Sequence, residues 1–483
     1  MGSGMFMEVD LEFLDIDIDG HELHFSVSIF GQVYNNTYDY EDTSLYALIE
    51  RYGRVPIERI CFHIVAFELI KYCSLGPQTI SFGRHQKYCN KEFFQFWQYI
   101  LRHVFSQWRY ENNRPDDFGP QIAGGYSTVG FGAPINREAE NDYLVFCGGG
   151  KDSLVAMRTL DAIEQAYGVF VYTHSIYGKA QQQVDLVKKL TAVTGGRELH
   201  LQHVTEDFLA GKGERQLSRL GLKSLLGAET PSSVFAALPI MLDKNYRCAV
   251  LAHERSADAG NMTWEVTGEE INHQWGKSWQ AELAINRYIS ENLVSDYSYF
   301  SLLKPLSDVA VFGLLQYELD AIERIHSCNV EKPWCKRCAK CAYVWLGLKA
   351  YLPNDIVDPV FAEDLFDRPE NLIWFRQLLG LDEHTPFECV GQVPETRLAL
   401  VLYLSKNHHP VAESLRKEFS DDLLHIVDTF VRPSADHSNI DEPIRTRVMA
   451  LFESRTRALH KQLNTILSHS ISAPGMAEAT LHA

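Results

Sequence analysis

The sequence predicts an α/β protein built on a parallel, doubly wound sheet, with an α+β region before it and a mostly helical region after it. Three observations carry this. Between residues 142 and 254, strand-like apolar runs alternate with helix-like stretches, the rhythm of a parallel sheet wrapped by helices. The first of those strands runs straight into three glycines and a helix start, "LVFCGGGKDSLVAM" (144–157). Four cysteines then crowd into residues 328–341 and close the region.

Taken in order, residues 1–6, with "MGSG", read as a cloning remnant before Met5 or Met7. Residues 7–135 form the α+β region. Its first thirty residues alternate, and "LEFLDIDI", Asp19-Gly20 and "HELHFSVSIF" predict a hairpin with a tight turn. Helical spacing follows from Pro56 to Cys73, and "KEFFQFWQYILRHVFSQW" (91–108) predicts a second, well-buried helix. The Gly- and Pro-rich stretch 114–134 breaks the pattern and reads as a linker or an active-site loop.

The central domain spans 140–350. "DYLVFC", "VFVYTHSI", "ELHLQHV" and "CAVLAHE" read as buried strands, and the segments between them as helices. Pro239, inside "SSVFAALPIML", predicts a kink or early stop. In such a sheet, ligands sit beyond the carboxyl ends of the strands. Residues 351–470 are mostly helical, with amphipathic "PETRLALVLYLSK" and "RTRVMALFESRTRALHKQLNTIL", and 471–483 read as a loose tail.

Bulk properties narrow the function. The 483 residues are 46% hydrophobic, enough for true cores in two or three domains and against disorder. The formal charge of -18 gives no general attraction for a polyanion, so nucleic acid is an unfavoured partner and a small molecule is expected. No apolar run is long enough to cross a bilayer, so no membrane partner is expected. Ten cysteines, four of them clustered, suit a cytoplasmic protein with one metal site better than a disulfide framework.

The glycine loop leaves a buried strand and opens a helix, where unpaired N–H groups and a partial positive charge receive anions. It is not a Walker loop, because Asp152 follows Lys151, and it lacks the dinucleotide G-x-G-x-x-G spacing. It resembles instead the Ser-Gly-Gly-x-Asp-Ser pyrophosphate loop of the N-type ATP pyrophosphatases. The match runs through Gly149, Gly150, Lys151, Asp152 and Ser153, with Gly148 where the pattern has serine. The resemblance implies a PP-loop fold that binds ATP and Mg²⁺ and cleaves between the α- and β-phosphates. It also implies that Ser175 to Tyr177, at the end of the next strand, lie near adenine or ribose.

Cys328, Cys335, Cys338 and Cys341 are spaced for a closed, tetrahedral, structural zinc site. An iron–sulfur cluster is the rival, without the Cys-Pro that ends the ferredoxin pattern. A phosphate loop followed by a four-cysteine loop is similar to the 7-cyano-7-deazaguanine synthases. That family usually carries a lysine after its Pro-Leu, whereas "KPLSDVAVFG" has only Lys304, before the proline.

Between loop and cysteines lies a polar segment, 252–282, that supplies His253, Glu254, His273 and Lys277, interleaved with Trp264, Trp275 and Trp279. Loops after strands are where such enzymes keep their chemistry, although a merely solvated loop is the plain alternative. This segment, with "GGGKDS", "SLLKPLSD" and "FECVGQVPETRLAL", resembles the ATP-dependent UDP-N-acetylmuramoyl-L-alanyl-L-glutamate epimerases of peptidoglycan synthesis. The resemblance implies adenylation of the glutamyl carboxylate, exchange of the α-proton and hydrolysis. His273, His253 and Glu254 are then the candidate bases, His273 first, and Lys277 a candidate electrophile or phosphate ligand. Cations for the UDP phosphates come from "GRHQK" (83–87) or from Arg215, Arg219 and Lys223. Two rivals stand beside this reading: adenylation of a deazapurine carboxylate, and a non-catalytic nucleotide-binding module.

Overall fold

The computed structural model describes residues 9–130, 132–174, 180–434 and 439–471. Twelve strands follow in chain order. The first five are β1 (Leu11–Asp19), β2 (Glu22–Ile29), β3 (Gln32–Tyr40), β4 (Thr79–Ser81) and β5 (Gln121–Ile122). The rest are β6 (Asn141–Phe146), β7 (Gly168–His174), β8 (Leu199–Glu206), β9 (Tyr246–Leu251), β10 (Met262–Trp264), β11 (Glu269–Ile271) and β12 (Ser298–Ser301). Ten of them make one sheet, in the order β12-β9-β6-β7-β8-β3-β2-β1-β4-β5, and β10 and β11 form a separate antiparallel ribbon.

The half from β12 to β8 is parallel throughout. Its strand order reverses between β6 and β9, because β7 and β8 lie on one side of β6 and β9 and β12 on the other. That reversal is the switch point at which doubly wound sheets hold ligands. Alternate β6 side chains feed two cores: Tyr143 and Val145 enter one, Leu144 the other. Such strands, covered on both faces, read as apolar runs, which is why they are visible in sequence.

The N-terminal strands continue this sheet. β3 pairs antiparallel with β8, from Asn36 opposite Glu206 to Tyr40 opposite Gln202. The boundary expected near 135–140 therefore falls within one hydrogen-bonded sheet. β3 itself follows β2 through Phe30 and Gly31, both at positive φ, the two-residue turn that matches strand twist. The single helix expected over 91–108 is two, Lys91–Val104 and Ser106–Glu111, broken at Phe105. Pro239 has the expected effect: helix Glu229–Ala236 ends, and Pro239 sits in the first turn of helix Leu238–Asp243.

The C-terminal helices pack into the core on one sheet face. Asp441 ties them to the strands by accepting from Tyr143 at 2.7 Å and from both Arg247 terminal nitrogens at 3.1 and 2.6 Å. Among the described residues no helix is long and apolar enough to cross a membrane.

Candidate functional site

The glycine loop leaves β6 at the switch point and enters helix Lys151–Ala162, with Gly150 as its N-cap. Ser153 Oγ accepts from the Gly148 N–H at 3.1 Å, so the hydroxyl shapes the loop it belongs to. Gly149 has φ +83°, and its carbonyl accepts from the His326 N–H at 2.8 Å. A Cβ on Gly149 would stand 2.1 Å from the His326 ring, and one on Gly150 would stand 2.8 Å from Ser327 Oγ. A Cβ on Gly148 would meet nothing within 4 Å. The place where the pyrophosphatase pattern has serine is thus open space at the mouth of the site. Gly149→Ala should lose about 2 kcal/mol of stability through strain and overlap together, with nucleotide binding abolished. Gly148→Ser should fold as the parent does and bind ATP at least as tightly. Thermal melts and ATP titration of the two variants check this.

The loop floors a cleft of about 280 Å³. Gly148, Gly150, Asp152 and Ser153 form one side, and His253 and Glu254, just past β9, form another. Lys277 and Cys389 enter from separate segments, while Ser327, Asn329, Lys332 and Lys340 come from the cysteine-bearing loop. Phe146, Phe170 and Tyr172 supply an apolar wall. The helix N-terminus and the lysines Lys277, Lys332 and Lys340 thus share the cleft with the carboxyl groups of Asp152, Glu229 and Glu254.

Lys151 does not line this cleft. It is buried, and its ammonium donates to Asp152 Oδ1 at 2.6 Å and to Asp308 Oδ1. Asp308 Oδ2 also accepts from the Tyr343 hydroxyl at 2.5 Å. Burial opposes the charge on Lys151, but the two carboxylates outweigh it and raise its pKa. Burial, with Asp308 and Asp152 nearby, pushes the Glu254 carboxyl up to about 7, so Glu254 can hold or release a proton near neutrality.

Lys304 organises the opposite side. It is 0% exposed, and its three N–H donors meet Glu254 O at 3.1 Å, Lys277 O at 2.9 Å and Asp258 Oδ1 at 3.0 Å. It therefore fixes the backbone of two cleft residues and is not itself available to phosphate. His253 Nδ1 lies 3.3 Å from Ser301 Oγ, and burial, reinforced by Lys277 and Lys304, holds its pKa well below the usual value. Neutral imidazole is its resting form.

His273 stands behind the cleft wall. Its backbone N–H donates to Asn261 Oδ1 at 2.9 Å, and its Nδ1 donates to Gln107 Oε1 at 2.6 Å. Burial disfavours the imidazolium, yet the Cys389 thiol and Glu388 outweigh burial and raise the His273 pKa. The structure thus gathers His253, Glu254 and Lys277 with the glycine loop, and sets His273 one side chain back. Ser175 and Tyr177 lie outside the described residues. Neither "GRHQK" nor Arg215, Arg219 or Lys223 lines the cleft. In the former, Arg84 pairs with Asp15, and Lys87 with Glu58 at 3.5 Å.

Lys332, Lys340 and Cys389 are cleft residues that sequence reasoning left unassigned. The two lysines are visible in sequence only as polar neighbours of cysteines, and Cys389 only as one letter of "FECVGQVPETRLAL". Burial and the neighbouring Lys340 push Lys332 down to about 8.

The four clustered cysteines fit one ion. Their sulfurs all lie within 4.8 Å of one another, with Cys328–Cys338 at 3.9 Å and Cys335–Cys341 at 3.8 Å. A tetrahedron with metal–sulfur bonds of ~2.3 Å has edges of about 3.8 Å, which these two distances match, so the set can hold a metal such as zinc. Backbone N–H groups of Val330 and Glu331 point at Cys328 Sγ, each at 3.4 Å, as donors that stabilise a thiolate do. Cys338 is also the N-cap of the buried helix Ala339–Tyr351.

Comparison with known proteins agrees with this anatomy. Residues 232–302 match a family model described as the MurL N-terminal domain, and residues 322–425 one described as the MurL C-terminal domain. The chain is similar to three proteins named UDP-N-acetyl-alpha-D-muramoyl-L-alanyl-L-glutamate epimerase. The one from Micromonospora sp. is 29% identical over 62% of this chain and 64% of its own length. That from Salinispora tropica is 32% identical over 53% and 54%, and that from Xanthomonas oryzae 31% over 62% and 63%. The chain therefore spans less than two thirds of each of these relatives. The first MurL segment contains β9, His253, Glu254, His273 and Lys277; the second contains the four cysteines and Cys389.

Proposed function

We infer, for a chain that matches both MurL domain models and resembles the curated epimerases, an ATP-dependent epimerase. Its substrate is the terminal L-glutamate of UDP-N-acetylmuramoyl-L-alanyl-L-glutamate, in peptidoglycan precursor synthesis. The observation that carries this is the shared cleft: an anion-binding glycine loop and proton-carrying side chains face the same space. ATP, with Mg²⁺ shielding its phosphates, supplies the adenylyl group. The cytoplasm, where ATP is available, is the compartment this reading expects.

The chemistry follows from charge. An α-proton beside an ionised carboxylate is barely acidic, because its removal puts a second negative charge on the same group. Joining that carboxylate to AMP removes the first charge and opens the carbonyl to an enolate. The loop amides, Lys332 and Lys340 hold the departing pyrophosphate, and Lys277 faces the oxygen on which negative charge grows. Glu254, near its own midpoint at neutral pH, and His253, neutral, are placed to move protons. Zinc on the four cysteines keeps the loop bearing Lys332 and Lys340 in register with the glycines.

The test is incubation with ATP, Mg²⁺ and the UDP-linked L-glutamyl dipeptide in deuterated water. The expected result is substrate-dependent AMP and pyrophosphate release, with deuterium at the glutamyl α-carbon and D-glutamyl product. AMP release only with a carboxydeazaguanine would replace this reading with the deazapurine one. ATP binding without turnover on either acceptor would leave a non-catalytic nucleotide module.

A further inference from the structure

Five cysteines outside the zinc loop (Cys61, Cys73, Cys89, Cys147 and Cys248) are buried; the sixth, Cys389, is half-buried and lines the active cleft. Its surroundings set it apart. Lys277, from the turn before helix Trp279–Asn292, and His273 lie against it from one side, and Lys340, from the zinc loop, from another. Glu388, its sequence neighbour, is the acidic group next to it, and Asp152, Glu229 and Glu254 line the same cleft. Burial alone would raise this thiol, as it pushes Cys61 up to about 12, yet the three cationic groups outweigh burial and hold Cys389 well below the usual thiol range.

Resting on the epimerase reading, we propose that Cys389 is a catalytic residue, the thiolate that removes the glutamyl α-proton. Two facts support it beyond charge. The thiol faces the cleft that holds the glycine loop, and Lys277 and Lys340 reach that same cleft from two segments remote from Cys389 in the chain, an arrangement that a merely structural cysteine does not need. In the step, the α-C–H bond breaks and an S–H bond forms. The C–H electron pair moves into the acyl adenylate as an enolate, beside Lys277. Return of a proton to the other face needs a second acid, and Glu254, which lines the same cleft from β9, carries one. His273 is then a positioning residue. It is held by Gln107 and Asn261, and it acts by keeping the thiolate charged.

The experiment uses the zinc-loaded full chain and separates activation from proton transfer. Substrate-dependent exchange of labelled pyrophosphate into ATP reads adenylation, and α-deuterium uptake reads proton removal. Cys389→Ala should keep exchange within about threefold of the parent and lose deuterium uptake by about 10³-fold. Iodoacetamide labelling, located by peptide mass spectrometry, reads the thiolate without any substrate. Its rate at Cys389 should fall less than about threefold from pH 8 to pH 6, where an ordinary thiol of pKa ~8.5 falls about 80-fold. Lys277→Met should restore the steep profile. Deuterium uptake retained by Cys389→Ala would overturn the proposal, as would a covalent acyl-enzyme on Cys389, which would make it a nucleophile. If the parent shows neither exchange nor uptake, the epimerase reading has failed, and this role falls with it.

Discussion

Lys304→Met should leave a folded protein that is less stable by about 3 kcal/mol and slower by at least ~10²-fold. The lysine does not line the cleft, so the loss measures positioning, together with the release of His253 from a neighbouring charge. Its removal strips donors from the Glu254 and Lys277 carbonyls and leaves Asp258 without its cation. Met fills similar volume, so the effect is not a cavity. Both released segments carry cleft side chains, and a displacement of about 1 Å is costly where reacting groups must align. Urea unfolding gives the stability and the coupled AMP assay gives the rate. An unchanged rate in the variant would remove Lys304 from the functional account.

Metal removal should have the second large effect. The purified chain should carry one zinc, and a chelator or Cys338→Ser should cut turnover by about 100-fold. Hydrogen exchange should accelerate over 326–341 while the parallel strands stay protected. The expected coupling comes from placement: Ser327, Asn329, Lys332 and Lys340 reach the cleft from the segment that the four sulfurs close. Cys338 also caps helix Ala339–Tyr351, and serine can take over that cap, so the Cys338→Ser effect reads the loss of the metal and not of the helix start. Iron in place of zinc, or full activity of metal-free protein, would overturn this.

The parts legible in sequence are those whose cause is local. Strands β6 to β9 are buried on both faces and announce themselves as apolar runs, and the four cysteines need only their spacing. β3 is harder to see, since "QVYNNTYDY" carries polar side chains on its exposed face. Its partner β8 lies far along the chain, so nothing nearby shows that the N-terminal strands extend the central sheet. The glycine loop is legible, but the place of Lys151 is not. A lysine in a phosphate loop invites a phosphate role, while Asp308 and Tyr343, which decide its position, are remote. Cys389 fails to stand out for the same reason: a single thiol has no pattern, and the cations that change its chemistry arrive from residues 277 and 340.

The seam between β3 and β8 sets the order in which this molecule can be made. The hairpin of β1 and β2 and strand β3 are made before β8, yet the edge that β3 needs is not complete until residue 206. Until then the N-terminal strands present an unpaired edge, the state most open to wrong partners. The parallel half, by contrast, is wound largely from strands near one another in sequence, β6 beside β7 and β7 beside β8. β3 is therefore seated long after it is made, by a strand more than 150 residues further along the chain.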